Sequence, residues 1–206
     1  MAGLYNNYIL PRVTDFLCSS KPAMIQRKKI LPFASGKIVE IGIGSGLNLP
    51  LYDGQQVENI IGVDSSESML QLAEKHISNS NFPVQLVNAS AENIPVVSDF
   101  ADTIVTTYTL CSISDIPSVF EEIRRILKPG GKFIFCEHGL APDRNVQKWQ
   151  NRLNPMWRKF GGGCNLNRNI PELIRQCSFD ISSLNSMYIP GPRIASYNYW
   201  GIAKYS

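Results

Sequence analysis

Apolar and polar positions along the chain switch between a helical period and short apolar runs of strand length, and this alternation predicts the elements. Residues 1–35 carry a helical pattern, broken at Leu4, Tyr8, Pro11 and Phe16. Lys37 to Ile41 predicts a first strand. Ile60 to Val63, Val84 to Val87, Thr103 to Thr107 and Lys132 to Cys136 predict a second to a fifth. Pro50 and Asp53-Gly54 keep the segment after the first strand short. Ser65-Ser66-Glu67-Ser68 opens a helix, with Ser65 or Ser66 as cap and Met69, Leu70 and Ala73 on its apolar face. Ser118 to Leu127 is a second helix with an apolar stripe of Val119, Ile123, Ile126 and Leu127, and Pro129-Gly130-Gly131 ends it in a turn. Ile181 to Ile189 and Tyr197 to Tyr205 read as strands too close together for an intervening helix. The expected fold is α/β: a doubly wound, mostly parallel sheet of seven strands with a C-terminal antiparallel hairpin.

Where the first strand ends, the chain reads Val39-Glu40-Ile41-Gly42-Ile43-Gly44-Ser45-Gly46, and the second strand ends in Gly62-Val63-Asp64. Glycines let a turn bring its backbone close to a ligand without a Cβ penalty. An acid at the end of the next strand accepts hydrogen bonds from ribose hydroxyls. The pair implies an adenosine-containing ligand. Dinucleotide sites usually read G-x-G-x-x-G, with a pyrophosphate on the following helix. Here the spacing is G-x-G-x-G with Glu40 two residues upstream, which suits a ligand with an amino-acid arm and no phosphate. The acid meets an ammonium group directly or through water.

Composition bounds the rest. The 206 residues fit a single domain, with residues 1–35 as a helical cap and 145–169 as an insertion. A hydrophobic fraction of 44% and a net charge of +3 describe an ordinary globular chain and give no sign of a nucleic-acid surface. No apolar run approaches the roughly 20 residues of a membrane helix, and the N-terminal stretch with Pro11, Arg12 and Asp15 does not read as a signal peptide. The five cysteines (Cys18, Cys111, Cys136, Cys164, Cys177) lack C-x-x-C spacing, which argues against zinc and against a disulfide framework; no metal is expected, and a reducing cytoplasm is. Arg27, Lys28 and Lys29 read as a solvated helix face, with an anionic surface as the other reading.

The E-x-G-x-G-x-G stretch resembles motif I of the class I S-adenosylmethionine-dependent methyltransferases. Val63-Asp64-Ser65-Ser66-Glu67-Ser68-Met69-Leu70 is similar to the family's second motif, and Asn88-Ala89-Ser90-Ala91-Glu92-Asn93-Ile94-Pro95 to its adenine-edge segment, with Ser90 where Asp is common. Phe100-Ala101-Asp102-Thr103-Ile104-Val105 and Leu127-Lys128-Pro129-Gly130-Gly131 match the entries to strands four and five. The resemblance implies S-adenosylmethionine as cofactor, held by Glu40, Gly42, Gly44, Gly46, Asn48, Asp64, Ser65, Met69, Ala91, Glu92 and Thr107. A narrower resemblance is to alkyl-thiol methyltransferases of the animal endoplasmic reticulum and to small bacterial relatives. It is carried by Thr109-Leu110-Cys111-Ser112-Ile113, Cys136-Glu137-His138 and Gly163-Cys164-Asn165-Leu166; Ile9-Leu10-Pro11-Arg12 and Gly46-Leu47-Asn48-Leu49-Pro50 fit the bacterial set. The animal enzymes carry an N-terminal hydrophobic anchor that is not expected here; peripheral membrane contact is open but not indicated.

Methyl transfer from a sulfonium is an in-line displacement, and positioning supplies roughly 7–11 kcal/mol of the barrier reduction. Candidates for work on the acceptor lie at the carboxyl ends of strands four and five, where open α/β sheets bind ligands. They are Cys111 and His138, with Tyr108 shaping an apolar wall. Glu137 reads either as orienting His138 or as satisfying backbone donors. Trp149, Leu153, Trp157 and Phe160 fall at helical spacing, with Pro155 bending or restarting the helix. They pack in the core or form an apolar lid over the acceptor, hinged at Gly161-Gly162-Gly163. The expected function is transfer of a methyl group to a small, partly apolar acceptor, a thiol first, a lipid amine headgroup or quinone ring next. A non-catalytic cofactor-binding module and a nicotinamide oxidoreductase are weaker readings, the latter for want of G-x-x-G spacing or Y-x-x-x-K. No nucleic-acid partner is expected, since no basic stripe with interleaved aromatics is present.

Overall fold

The computed structural model describes residues 10–205. The part of the expected N-terminal cap before residue 10, with Leu4, Tyr8 and Ile9, lies outside the described residues. Two helices follow, α1 (Leu10–Cys18) and α2 (Lys21–Ile30). The chain then runs through β1 (Gly36–Ile41), β2 (Val57–Asp64), α3 (Glu67–Ile77), β3 (Val84–Asn88), β4 (Ala101–Thr107), α4 (Ile116–Ile126), β5 (Leu127–His138), α5 (Arg144–Phe160), α6 (Ile170–Gln176), β6 (Phe179–Tyr188) and β7 (Tyr197–Tyr205).

The seven strands form one sheet in the order β3-β2-β1-β4-β5-β7-β6. The first five pair in parallel, and β7 runs antiparallel to both β5 and β6, so the expected hairpin contributes a single reversed strand. Between β1 and β2 there is only a short 3-10 turn, Leu49–Leu51, where Pro50 and the nearby Asp53-Gly54 leave no room for a full helix. Ser66 caps α3, its hydroxyl accepting from the Met69 amide at 3.4 Å.

Three elements depart from the pattern read along the chain. β5 starts at Leu127, and Ala101 opposes Leu127 while Thr103 opposes Lys132. The Pro129-Gly130-Gly131 turn is therefore an excursion within the strand's length, with Gly130 at φ +79°. Helix α6 was not legible because seven residues hold only two turns, too few to establish a period; Asn169 caps it, accepting from the Glu172 amide at 3.5 Å. Helix α5 runs unbroken through Pro155.

Both faces of the sheet are covered, so its central strands are apolar without alternation. Along β1 the period of two still sorts the side chains: Val39 and Ile41 join the core beneath α4, and Ile38 joins the core on the α2 face. Phe120, Phe133 and Phe179 meet there in edge-on pairs, with ring centres 5.3–5.9 Å apart. Phe133→Ala should lower unfolding free energy by ~3–5 kcal/mol, because the cavity it leaves is walled by two other rings. Phe16→Ala, on a side chain 76% exposed, should change it by no more than ~0.5 kcal/mol. Denaturant titration of the two variants measures both.

Candidate active site

The carboxyl ends of β1, β2 and β4 open onto a cavity of about 440 Å³. It lies where the strand order departs to either side of the β1/β4 pair, the place where open parallel sheets bind ligands. Its floor is the turn after β1. Gly42 has φ +73°, and a Cβ there would fall 2.2 Å from the Thr109 hydroxyl, so glycine is what lets the loop after β4 close against this turn. Gly46, at φ +80°, does not line the cavity. A Cβ on it would press on Leu49 and Ala73 at 3.2 and 3.3 Å, so it serves the packing of the turn against α3.

Asp64 closes β2 and lines the cavity. Its two carboxylate oxygens accept from the Gly44 amide at 2.9 Å and the Ser66 amide at 2.8 Å. Each oxygen keeps a second lone pair for a ligand hydroxyl. Gly42, Gly44, Ser65, Met69, Ala91, Glu92, Thr107 and Tyr108 also line the space. Ser90 lines it too, with its hydroxyl bonded to the Glu92 carboxylate.

Glu40 and Asn48 sit elsewhere than expected. Glu40 is 1% exposed and lies behind the wall, its oxygens accepting from Asn48 Nδ2 and the Tyr52 hydroxyl, both at 2.7 Å. Neither Glu40 nor Asn48 lines the cavity, and the Glu40 carboxyl anchors the turn after β1 through these two donors. Asn48 Nδ2 also donates to the Thr107 hydroxyl at 3.0 Å. Its Oδ1 accepts from Arg27 at 2.7 Å, and Arg27 donates to Thr107 as well. Arg27 is 4% exposed, lines the cavity and lies 4.9 Å from the centre of the Tyr108 ring. The solvated-face reading of this residue is wrong. Ala23, Gln26, Arg27 and Ile30 are the buried positions of α2, spaced i, i+3, i+4, i+7, so a polar pair occupies the helix's inner stripe. That spacing was the available signal, hidden by the run of charges. Burial pushes the Glu40 carboxyl up to about 7, against the Tyr52 and Asn48 hydrogen bonds and the Arg27 charge.

Tyr108 has φ +54°, a conformation uncommon for a bulky residue, and its hydroxyl donates to Asn198 at 2.7 Å. Behind it lie the other acceptor-side candidates. His138 and Cys111 do not line the cavity. His138 Nε2 is 3.1 Å from the Cys164 sulfur, and its ring is nearly parallel to that of Tyr108 at 6.5 Å. Cys111 is 2% exposed. The Cys164 thiol is held below the usual range, first by its contact with Cys111 and then by His138, while that shared contact and burial drive Cys111 upward. Burial opposes a charge on His138, but the Cys164 sulfur outweighs it and raises the imidazole. Glu137 does not orient His138. Its Oε1 accepts from the amides of Thr109 and Leu110 at 2.9 and 3.0 Å, and burial takes it up to about 7.

Trp149 and Trp157 are 54% and 36% exposed and take no part in the cavity wall. Gln150, on the buried side of α5, fixes that helix by accepting from Ala141 and donating to the carbonyls of Gly139, Leu166 and Ile194. The roof is instead α1, through Thr14, Asp15 and Cys18, with Gly162 beside it. Asp15 accepts from the Ser45 hydroxyl, and the space above Gly162 is filled by Leu10.

Comparison with known proteins fixes the class. A family model described as a methyltransferase domain matches residues 39–135. The human thiol S-methyltransferase TMT1A is 32% identical over 90% of this chain and 78% of its own length; the rat thiol S-methyltransferase TMT1B is 32% identical over 78% and 68%. An S-adenosylmethionine-dependent methyltransferase from Methanosarcina mazei shares the fold, with a TM-score of 0.67 at 19% identity over 82% of this chain and 92% of that one. A geranyl diphosphate methyltransferase in complex with S-adenosylmethionine does so with a TM-score of 0.69 at 13% identity, over 89% and 86%. Fold and cavity are those of a class I methyltransferase. The chain belongs to the S-adenosylmethionine-dependent methyltransferases, and S-adenosylmethionine is its cofactor. The cavity fits that group: Asp64 has lone pairs to spare, and the Arg27 Nε is buried at the wall with no partner among the described residues. Among the described residues no helix is long and apolar enough to cross a membrane.

The Glu40 carboxyl, raised from its ordinary 4.5 to about 7 by folding, gives a signed prediction. The folded state holds an extra proton between those values, so this contribution to stability is present below about pH 4.5 and lost as pH rises through 7. Glu40→Gln should flatten the fall in melting temperature of the cofactor-free protein between pH 5 and 8. An unchanged slope across that range would show that Glu40 is ionised throughout.

Proposed function

We propose that this methyltransferase methylates a small thiol, and that Arg27, Asp64 and the turn Gly42–Ser45 hold the cofactor. The observation that carries the thiol reading is the 32% identity to a thiol S-methyltransferase over 90% of this chain. The cavity's chemistry agrees with it. Its described lining offers carboxylates as bases, Asp15 on the acceptor side among them, and so weak a base suits an acceptor that ionises readily by itself. A free thiol, with a pKa about 8.5, meets that condition far better than an alcohol or a phenol. S-adenosylmethionine, when bound, supplies a methyl group on a sulfonium sulfur, which an acceptor thiolate displaces without further activation.

The residues then divide the work of holding the cofactor. Asp64 accepts from ribose hydroxyls with the lone pairs its two backbone donors leave free. Arg27 offers its unpartnered Nε to the carboxylate of the amino-acid arm, a charge-assisted pairing. Met69, Ala91 and Glu92 border the adenine. Thr14, Asp15 and Cys18 of α1 close the acceptor side and keep water out.

The test is transfer of an isotope-labelled methyl group from S-adenosylmethionine to an alkanethiol by the purified chain. Saturable transfer to the thiol, absent with the matching alcohol, is expected. Transfer to an amine or a quinol ring but not to the thiol would overturn the acceptor. Asp64→Ala should weaken cofactor binding by ~1.5–3 kcal/mol, measured by calorimetry, with the fold retained; unchanged affinity would remove Asp64 from the site.

A further inference from the structure

The geometry points to a binding site for a zinc-class divalent cation, built by Cys111, His138 and Cys164 immediately behind the cavity wall. The sequence argued against zinc because no two cysteines are close along the chain. Spacing of that kind detects only ligands that share a loop. Here the three donors arrive from the loop after β4, the carboxyl end of β5 and the loop after α5, and their ligating atoms all lie within 4.8 Å of one another.

The dimensions suit the ion. Tetrahedral zinc with bonds of about 2.3 Å to sulfur and 2.0–2.1 Å to nitrogen holds its donors roughly 3.5–3.8 Å apart. His138 Nε2 and the Cys164 sulfur are already 3.1 Å apart. Small rotations of the side chains bring the third donor to its place. Two sulfurs and an imidazole are a soft donor set, matched to zinc rather than to magnesium or calcium.

The scaffold around the donors is rigid, as a preformed site needs. Asn165, next to Cys164, donates to the Cys111 carbonyl from its amide and from its Nδ2, both at 2.8 Å, and so ties two ligand loops together. Glu137 fixes the loop that carries Cys111 through the Thr109 and Leu110 amides. Arg168 donates to the Leu110 carbonyl and adds a positive charge near the sulfurs. Among the described residues no fourth His, Cys, Asp or Glu completes the group. A three-ligand site of this kind keeps one position for water or another small ligand. Ser112 and Gly162, which line the cavity, flank Cys111 and Cys164 in sequence at one and two residues. The inference does not depend on the acceptor being a thiol.

The test uses the full-length chain stripped with a chelator and titrated with Co²⁺ and then Zn²⁺ alone. One Co²⁺ per chain is expected, with a sulfur-to-cobalt charge-transfer band that Zn²⁺ abolishes. Cys164→Ser and His138→Asn should each weaken Co²⁺ binding by more than the ~10–100-fold that loss of an outer-shell partner costs, while Cys177→Ser keeps the band. In the unmutated protein, Zn²⁺ should shield Cys164 from iodoacetamide, which holds even where a variant fails to fold. Absence of the band in reduced protein overturns the site, as does a band that survives loss of Cys164. A Cys111–Cys164 disulfide in protein purified without reductant, together with no band after reduction, replaces the cation with a redox pair.

Discussion

The cavity depends on one buried chain of hydrogen bonds, Tyr52–Glu40–Asn48–Arg27–Thr107. It joins a strand, the turn after it, the neighbouring strand and a helix that precedes them all. Asn48 is the hub, since both of its amide hydrogens and its carbonyl are engaged. A buried charge costs several kcal/mol unless it is paired and hydrogen-bonded. Tyr52 donates to Glu40 and Thr107 accepts from Arg27, but only Asn48 links the two charges to each other, so the network is stable as a unit and poorer in any fragment. Its effect on function is positional. Arg27 is held at the wall under the Tyr108 ring, and α2 is fixed where α1 can roof the cavity.

The roof is the second constraint. The aromatic side chains of α5 look like a lid on a helical wheel, yet Trp149 and Trp157 stay off the cavity wall, while Gln150 of the same helix spends its hydrogen-bonding capacity on three loops and so fixes the helix in place. The part of closing the site falls to α1, whose Asp15 is bonded to Ser45 in the glycine turn. Among the described residues, a helix latched through a part-buried hydroxyl–carboxylate hydrogen bond and the packing of Leu10 is a better candidate for opening than one fastened by a buried amide. The regions that move in enzymes are generally those with few buried contacts.

Much of this was legible along the chain. The parallel, doubly wound sheet follows from the alternation of elements, and the glycine turn and Asp64 locate the cavity, because both are local signals with a direct steric or hydrogen-bonding cause. Arg27 was not legible, since a charged residue on a buried helical stripe looks like a solvated one until the strand beneath it is known. Glu40 and Asn48 could be placed near the site but not on the correct side of its wall, because one residue of shift on a strand turns a side chain such as Glu40 to the other face and the direction of Asn48 is set by the irregular turn that carries it. The meeting of Cys111, His138 and Cys164 is a product of tertiary packing and leaves no periodic trace.

Three acids recur at this end of the sheet, and they share a physical task. The loops that leave parallel strands at their carboxyl ends carry amide hydrogens with no strand to pair with, and a buried unpaired amide is costly. Asp64 receives the Gly44 and Ser66 amides, Glu137 those of Thr109 and Leu110, and Glu40 the side chains that hold the turn after β1. Each acid thus fixes a loop next to its own strand. The cost appears in the carboxyls themselves, for burial takes both Glu40 and Glu137 up to about 7. Asp64, raised by burial and lowered by its two amides, is the member of the set that faces the cavity. The same chemistry that stabilises the loops therefore leaves one carboxylate, at the mouth of the cavity, with lone pairs for a ligand.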